Sequence, residues 1–303
     1  MKAAVIASQG VRVQDVSRPY CGNGDVLVRV YATTVTRGDI VLDSLPGIMF
    51  WSPIRKLLGV PPKKTVPGHE FAGIVEAVGG DVTGYKVGDE VFGTTTGLSA
   101  GANAEYVSVP QKSETAVLAQ KPRTLSFEEA AALPVGAMTA LCLLRAADAQ
   151  AGQHALIYGA SGSVGSYAVQ IAKALGMTVT AVCSTRNVDL VTALGADEVI
   201  DYTVEDFSAR DTAYDVIFDA VGKTTNAQRQ RALKPEGRFT SIRTNTHESD
   251  EAFAQIIDWA TAGQLTPLID RCILLSEIGA VYEYVASGRK RGNVVIQAHP
   301  TGA

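Results

Sequence analysis

The chain has 303 residues with 27 basic and 31 acidic side chains, a net charge of −4, and 46% apolar against 19% charged residues. That length allows two domains with cores of their own, and the mild acidity excludes general attraction to nucleic acid or anionic lipid, so phosphate recognition must be local. The longest nearly apolar run, residues 130–144, is too short for a membrane span, and four scattered cysteines without a C-x-x-C pair exclude a disulfide framework and predict a reduced, cytoplasmic setting.

In chain order, the amino-terminal MKAAVIASQG has too short an apolar stretch for a secretory signal. DVLVRVYATTV (25–35), GIVEAVG (73–79), DEVFG (89–93) and AEYVSVP (104–110) are bounded by glycine, proline or charge. They predict short strands of a small sandwich or barrel. Between the first two, MFWSPIRKLLGVPPKK (49–64) is irregular and reads either as a loop over a site or as ordinary surface. SFEE (126–129) is a capping box ahead of an apolar helix.

From there strand and helix patterns alternate. A strand at 154–160 precedes a helix from 163 to 175, and a strand at 178–184 precedes a helix at 188–194. EVIDY, YDVIFDAVG and GRFTSI supply three more strands, with a helix between the last two. Strands joined by helical crossovers predict a doubly wound α/β domain with a parallel sheet covered on both faces. Helices near 250–262 and 276–286 and the strand NVVIQ close the chain.

IYGASGSVGSYA (157–168) places Gly159, Gly162 and Gly165 between a strand and a helix, the context of a dinucleotide phosphate cradle. Unpaired N–H groups and the helix dipole favour an anion there. Gly162 admits backbone close to a pyrophosphate, and Gly165 lets helix and strand pack closely. A ligand-free glycine turn is the plain alternative. NAD-specific sites carry an acid about 20 residues beyond the glycines, on the ribose 2′-OH. Here the second strand ends in Cys183, Ser184, Thr185 and Arg186. Hydroxyls and a guanidinium suit a 2′-phosphate, with Tyr202 after the next strand to close over it. The expected cofactor is NADP(H); a solvated Arg186 is the alternative.

VPGHEFAGIVEAVG, GDEVFG, AALPVGAMTAL, GASGSVGSYAVQIAKALG and LGADEVIDY, in this order, resemble the medium-chain dehydrogenase/reductase superfamily, within it the zinc-independent quinone oxidoreductase (zeta-crystallin-like) branch. The resemblance implies a GroES-like β-rich catalytic domain over residues 1–119, a Rossmann domain over 120–265, and a return to the catalytic domain over 266–303. It places Thr139 facing the nicotinamide, Ser163 and Val164 at the pyrophosphate turn, and Ser184, Arg186 and Tyr202 in the 2′-phosphate pocket. Ala220, Val221, Ser241, Ile242 and Arg243 fall at the nicotinamide half. Asn293 stands where relatives usually have Lys. The zinc ligands of metal-dependent relatives correspond to Thr36, His69 and Val135, a set that cannot hold a tetrahedral metal, so no metal is expected. Thr36 also replaces the Asn of S-V-N-x-x-D, and Val41 and Asp43 replace a Tyr and an Arg. The segment after Ile242 lacks length for the strands that pair subunits in relatives, leaving monomer or homodimer open.

The implied chemistry is hydride delivery from NADPH to a quinone or to a carbon conjugated with a carbonyl. Charge developing on oxygen needs a donor, for which Thr36, His69 and the nicotinamide ribose are candidates, and His69 or water supplies the proton. His69 reads equally as a hydrogen-bonded residue fixing the turn beside Glu70. Arg37 reads as a cofactor or substrate contact or as surface; His154, His247 and His299 read as structural or solvated. Other readings are an enoyl reductase, an NADPH-binding redox sensor or scaffold without turnover, and a zinc-dependent alcohol dehydrogenase. Hydrolase order is absent, with no G-x-S-x-G elbow.

Overall fold

A computed structural model describes residues 1–7, 10–44, 66–95, 101–246 and 249–299. It divides into two units, Met1–Val135 with Ile269–Ala303, and Gly136–Leu268.

In the first unit β1 (Lys2–Ala7) and β2 (Gly10–Asp15) form an antiparallel hairpin. β3 (Asp25–Thr34) is the axis of the main sheet, because its β-branched run is buried along most of its length. On one edge it pairs with β4 (Glu70–Val78). On the other it takes β6 (Tyr106–Pro110) along its first half and β14 (Asn293–Gln297) at Ala32, Thr33 and Thr34. β5 (Glu90–Thr94) and β7 (Leu118–Gln120) continue beyond β4, and β13 (Ile269–Leu274) lies parallel to β14. Gly73 lets β4 close on β3, since a Cβ there would fall 2.1 Å from the Arg29 carbonyl oxygen. Val26, Val28, Val30, Phe71, Val75 and Val91 fill one core. A second gathers Val11, Val294 and Ile296 with Ile278, Val281 and Val285 of a helix over Ile278–Ala286.

α1 (Arg37–Ser44), β1, β2, β7 and β13 escape the sequence reading, being short or interrupted by charge. The apolar run after Ser126 is two helices, α2 (Phe127–Ala132) and α3 (Pro134–Ala146). The Ser126 capping box is present, and Pro134, which lacks an N–H, opens the second helix. α2 packs on β3, β4 and β14. The units therefore divide at Val135, past the expected boundary at 119, because the capped helix buries its alanines on the first unit's sheet.

The second unit is a parallel sheet in the order β10 (Glu198–Asp201), β9 (Thr178–Cys183), β8 (His154–Tyr158), β11 (Tyr214–Asp219), β12 (Leu233–Ser241). Its connections carry α4 (Ser163–Ala174), α5 (Val188–Ala193) and α6 (Asn226–Ala232), and α7 (Asp250–Thr261) follows β12. The helix over Ile278–Ala286 is α8. Strand order reverses after β8, the doubly wound pattern with a switch point between β8 and β11. β8, β9 and β11 are buried almost throughout, as helices on both faces require. Among the described residues no strand pairs with the outer edge of β12, and no helix is long and apolar enough to cross a membrane.

Candidate dinucleotide and proton-transfer sites

In the second unit the expected cofactor residues other than Thr139 lie at the carboxyl ends of the parallel strands, where doubly wound sheets bind ligands. Gly159 follows β8 in the left-handed region at φ +82. Gly165 is required by packing, since its Cβ would fall 2.1 Å from the Gly159 carbonyl oxygen. Gly162 differs: a Cβ there would meet only that oxygen, at an ordinary 3.5 Å. It is the N-cap of α4 and supplies no capping side chain. The helix thus opens with space before Ser163 and Val164, a geometry that fits a pyrophosphate.

Ser184, Thr185 and Arg186 form the turn after β9, and the Tyr202 N–H donates to the Cys183 carbonyl at 3.0 Å. That bond sets Tyr202 beside the Ser184 turn, with its ring 6.4 Å from that of Tyr158. A carboxylate borders the turn: Asp201 accepts from the Thr203 N–H at 2.9 Å and hydroxyl at 2.7 Å, with Thr185 Oγ1 3.0 Å from Thr203 Oγ1. The Thr185 hydroxyl is therefore engaged by its neighbours, while Arg186 is exposed.

Ala220 and Val221 follow β11 and abut Gly159. Their loop is built on buried Asp219, whose carboxylate accepts from the N–H groups of Val221, Gly222 and Thr224 and from the Thr224 hydroxyl. The Ile242 N–H donates to the Asp219 carbonyl at 3.1 Å, Arg243 N–H to Ser241 Oγ at 3.1 Å, and the Arg243 guanidinium to the Gly222 carbonyl at 2.8 Å. These bonds tie the ends of β11 and β12 together. Thr139 lies half-buried on α3.

In the first unit Thr36 closes the first turn of α1. Its N–H and hydroxyl both donate to Asp39 Oδ2 at 2.7 Å, and the Asp39 N–H returns a bond to Thr36 Oγ1 at 3.2 Å. Asp39 Oδ1 faces His69 Nδ1 at 2.8 Å and accepts from the Gly68 N–H at 3.3 Å. Burial pushes the Asp39 carboxyl up, but the hydrogen bond and charge of His69 and the bonds from Thr36 outweigh it and hold it below the ordinary range. An ionised carboxylate only accepts, so Thr36 and His69 Nδ1 are the donors. The Thr36 hydroxyl, expected at the substrate, is directed at Asp39.

Glu70 follows His69 at the start of β4. The Thr34 hydroxyl bonds its Oε1, and the Val135 N–H donates to its Oε2 at 2.8 Å. Burial pushes the Glu70 carboxyl up to about 7 against those bonds, with the Asp39 charge adding and Lys290 opposing. Lys290 is pushed down to about 8, again by burial, with Glu70 and Asp270 opposing.

Residues 22–121 match the alcohol dehydrogenase GroES-like domain, and residues 163–263 and 243–296 match two zinc-binding dehydrogenase families. The chain is 34% identical over 260 residues to 2-methylene-furan-3-one reductase of Solanum lycopersicum, covering 79% of this chain and 65% of that protein. It is 34% identical to the mitochondrial NAD(P)H oxidoreductase RTN4IP1 of Bos taurus over 90% of this chain and 81% of that one. The fold superposes on the quinone oxidoreductase of Coxiella burnetii with a TM-score of 0.86 at 27% identity over 99% of both chains. The chain belongs to the medium-chain dehydrogenase/reductase superfamily, in its quinone oxidoreductase branch.

Against the superfamily frame, Asn293 lies in the first unit, buried at the start of β14. Among the described residues no group of three or more His, Cys, Asp or Glu is placed to hold a metal ion. His154 bonds Thr180, and His299 bonds the Val30 carbonyl. The 49–64 segment and His247 lie outside the described residues. Asp39, Glu70, Lys290, Asn187 and Asp219 were not singled out from sequence as site residues. Asp39 and Glu70 lie within stretches the sequence marks, Asp39 as the acid of the motif that begins at Thr36 and Glu70 within VPGHE.

Proposed function

We propose that this chain is a zinc-independent, NADPH-dependent reductase of quinones or α,β-unsaturated carbonyls. The observation that carries the cofactor half is the Ser184–Arg186–Tyr202 grouping beside an open α4 N-terminus. Hydroxyls and a guanidinium there recognise a 2′-phosphate, which an NAD-type acid would repel. The names of the relatives support the acceptor class: a furanone reductase, an alkenal/one oxidoreductase and quinone oxidoreductases. Zinc independence rests on Thr36 and Val135 standing where metal-dependent relatives place ligands, which leaves His69 alone.

When bound, reduced nicotinamide supplies the hydride. The second unit's residues hold and orient it: the α4 N-terminus takes the pyrophosphate, Ser184 and Arg186 the 2′-phosphate, and the Asp219-built loop the nicotinamide half. In the first unit the Asp39 carboxylate fixes His69 with Nδ1–H inward, so Nε2 is the ring atom that exchanges a proton. Two electrons and a hydrogen added to the acceptor carbon, or to a quinone, leave negative charge on oxygen. His69 stabilises that charge and donates the completing proton, then is reprotonated from solvent. Thr36 acts through Asp39.

The test is anaerobic oxidation of NADPH with an ortho-quinone and with a conjugated enone, in chelator. Turnover with NADPH well above NADH is expected. Loss of turnover on chelation, restored by zinc, would overturn the metal-free reading; tight NADPH binding with no turnover on either acceptor class would favour a non-catalytic sensor.

A further inference from the structure

Two turns of the second unit, one after β8 and one after β9, are joined by a single buried side chain. Asn187 is 5% exposed. Its amide Nδ2 donates to Ser161 Oγ at 3.0 Å and to Ser184 Oγ at 3.2 Å. Ser161 sits between Gly159 and Gly162, and Ser184 begins the Arg186 turn. Asn187 also occupies the N-cap of α5, where an asparagine ordinarily satisfies a first-turn N–H. It makes no such bond, and Ser184, at the N-cap of its own short turn, makes none either. Both side chains leave local capping and meet each other instead.

The amide orientation follows from what each face would lose. Asn187 Oδ1 is buried without a hydrogen-bond partner. Turned over, the amide would strand two N–H donors in that place, a larger loss than one acceptor. With Nδ2 on the serines, each hydroxyl oxygen accepts, and its own hydrogen is left for another acceptor. Two hydroxyl hydrogens facing away from one amide form a donor pair suited to anionic oxygen.

We propose that Asn187 is a positioning residue of the dinucleotide site. By donating to Ser161 and Ser184 it turns both hydroxyl hydrogens toward phosphate oxygens of the cofactor, the Ser184 hydrogen toward the 2′-phosphate. This rests on the NADP(H) reading above and adds to it the group that makes the serines donors.

The test is equilibrium binding of NADPH and of NADH to the full chain, by calorimetry, with thermal unfolding run alongside. Asn187→Ala is expected to weaken NADPH about tenfold and NADH less than about threefold, the scale of one charge-assisted bond lost. In a Ser184→Ala background the same change should cost NADPH less than about threefold more, no more than it costs NADH in the parent, because the Ser184 share is gone and only the Ser161 share remains. Asn187→Asp keeps the shape but accepts from both serines, and should weaken NADPH more than Asn187→Ala does. Equal weakening of both cofactors, full additivity with Ser184→Ala, or an Asn187→Asp variant that binds NADPH like the parent overturns the proposal while the NADP(H) reading stands. A parent protein that binds NADH as tightly as NADPH, with Arg186→Ala affecting neither, overturns the NADP(H) reading and the proposal with it.

Discussion

Arg186 and Asp39 carry the two residue-scale expectations. Arg186 is an exposed guanidinium on the turn that also presents Ser184. A hydrogen bond to a charged group contributes about 1.5–3 kcal/mol, so Arg186→Ala should weaken NADPH by roughly 10- to 100-fold while NADH changes little. Equal loss for both cofactors would remove the 2′-phosphate assignment. Asp39 holds His69 by Nδ1 and takes three further bonds from Thr36 and Gly68. Asp39→Asn removes the charge that favours the imidazolium and leaves the ring tautomer unspecified. The expected result is a fall in kcat on the order of a hundredfold, an acid-side shift of the limb that reports His69, and an unchanged Kd for NADPH. A variant with parental kcat and pH profile would reduce Asp39 and Thr36 to a helix cap.

At the scale of elements, the β8–α4 connection separates glycine required by packing from glycine that leaves room for a ligand. A Cβ on Gly165 would collide with the Gly159 carbonyl, so helix and strand would have to part. Gly165→Ala should lower stability by roughly 1–3 kcal/mol, as overpacking does, measured by chemical denaturation. Gly162 lies at φ −82 and ψ 174, which any residue adopts, and its Cβ would meet no closer atom than one at 3.5 Å. Gly162→Ala should therefore fold with parental stability and still lose roughly tenfold in affinity for both cofactors, as a lost anion contact would. Undiminished binding would mean that the space before α4 is not used by the pyrophosphate.

For the molecule as a whole, the buried Glu70 and Lys290 make the first unit's stability depend on pH. Glu70 has a folded pKa of about 7 against an ordinary 4.5. As pH rises between those values the unfolded chain ionises while the folded chain keeps its proton, so Glu70's contribution is present at low pH and lost by about pH 7. The drop is about 3 kcal/mol, from 1.36 kcal/mol per unit. Lys290, at about 8 folded against 10.5, works on the other side. Its penalty is full below pH 8 and relieved as pH rises toward 10.5. Glu70→Gln keeps an acceptor for the Val135 N–H and offers an amide N–H to the Thr34 hydroxyl oxygen, without a titrating proton. Its unfolding midpoint relative to the parent should rise between pH 5 and pH 8; a constant difference across that range would rule out titration of Glu70 in the fold.

Much of the second unit was legible because its signals are local. Glycine spacing, the β–α alternation and the missing acid after β9 all lie within short stretches of chain, where turn chemistry and periodicity act directly. Ser184, Arg186 and Tyr202 stand after the ends of β9 and β10, as their place in the strand–helix alternation predicts. The tertiary structure decided the rest, through groups with no local signature: His69 meets Asp39 across 30 residues, Asn187 meets Ser161 across 26, and Val135 meets Glu70 across 65. The packing of helices and turns against the strand ends sets those meetings, and burial then shifts the charges that meet. The residue types carried the cofactor class; only the packing decided which hydroxyl donates, which carboxyl stays ionised, and where the first unit ends.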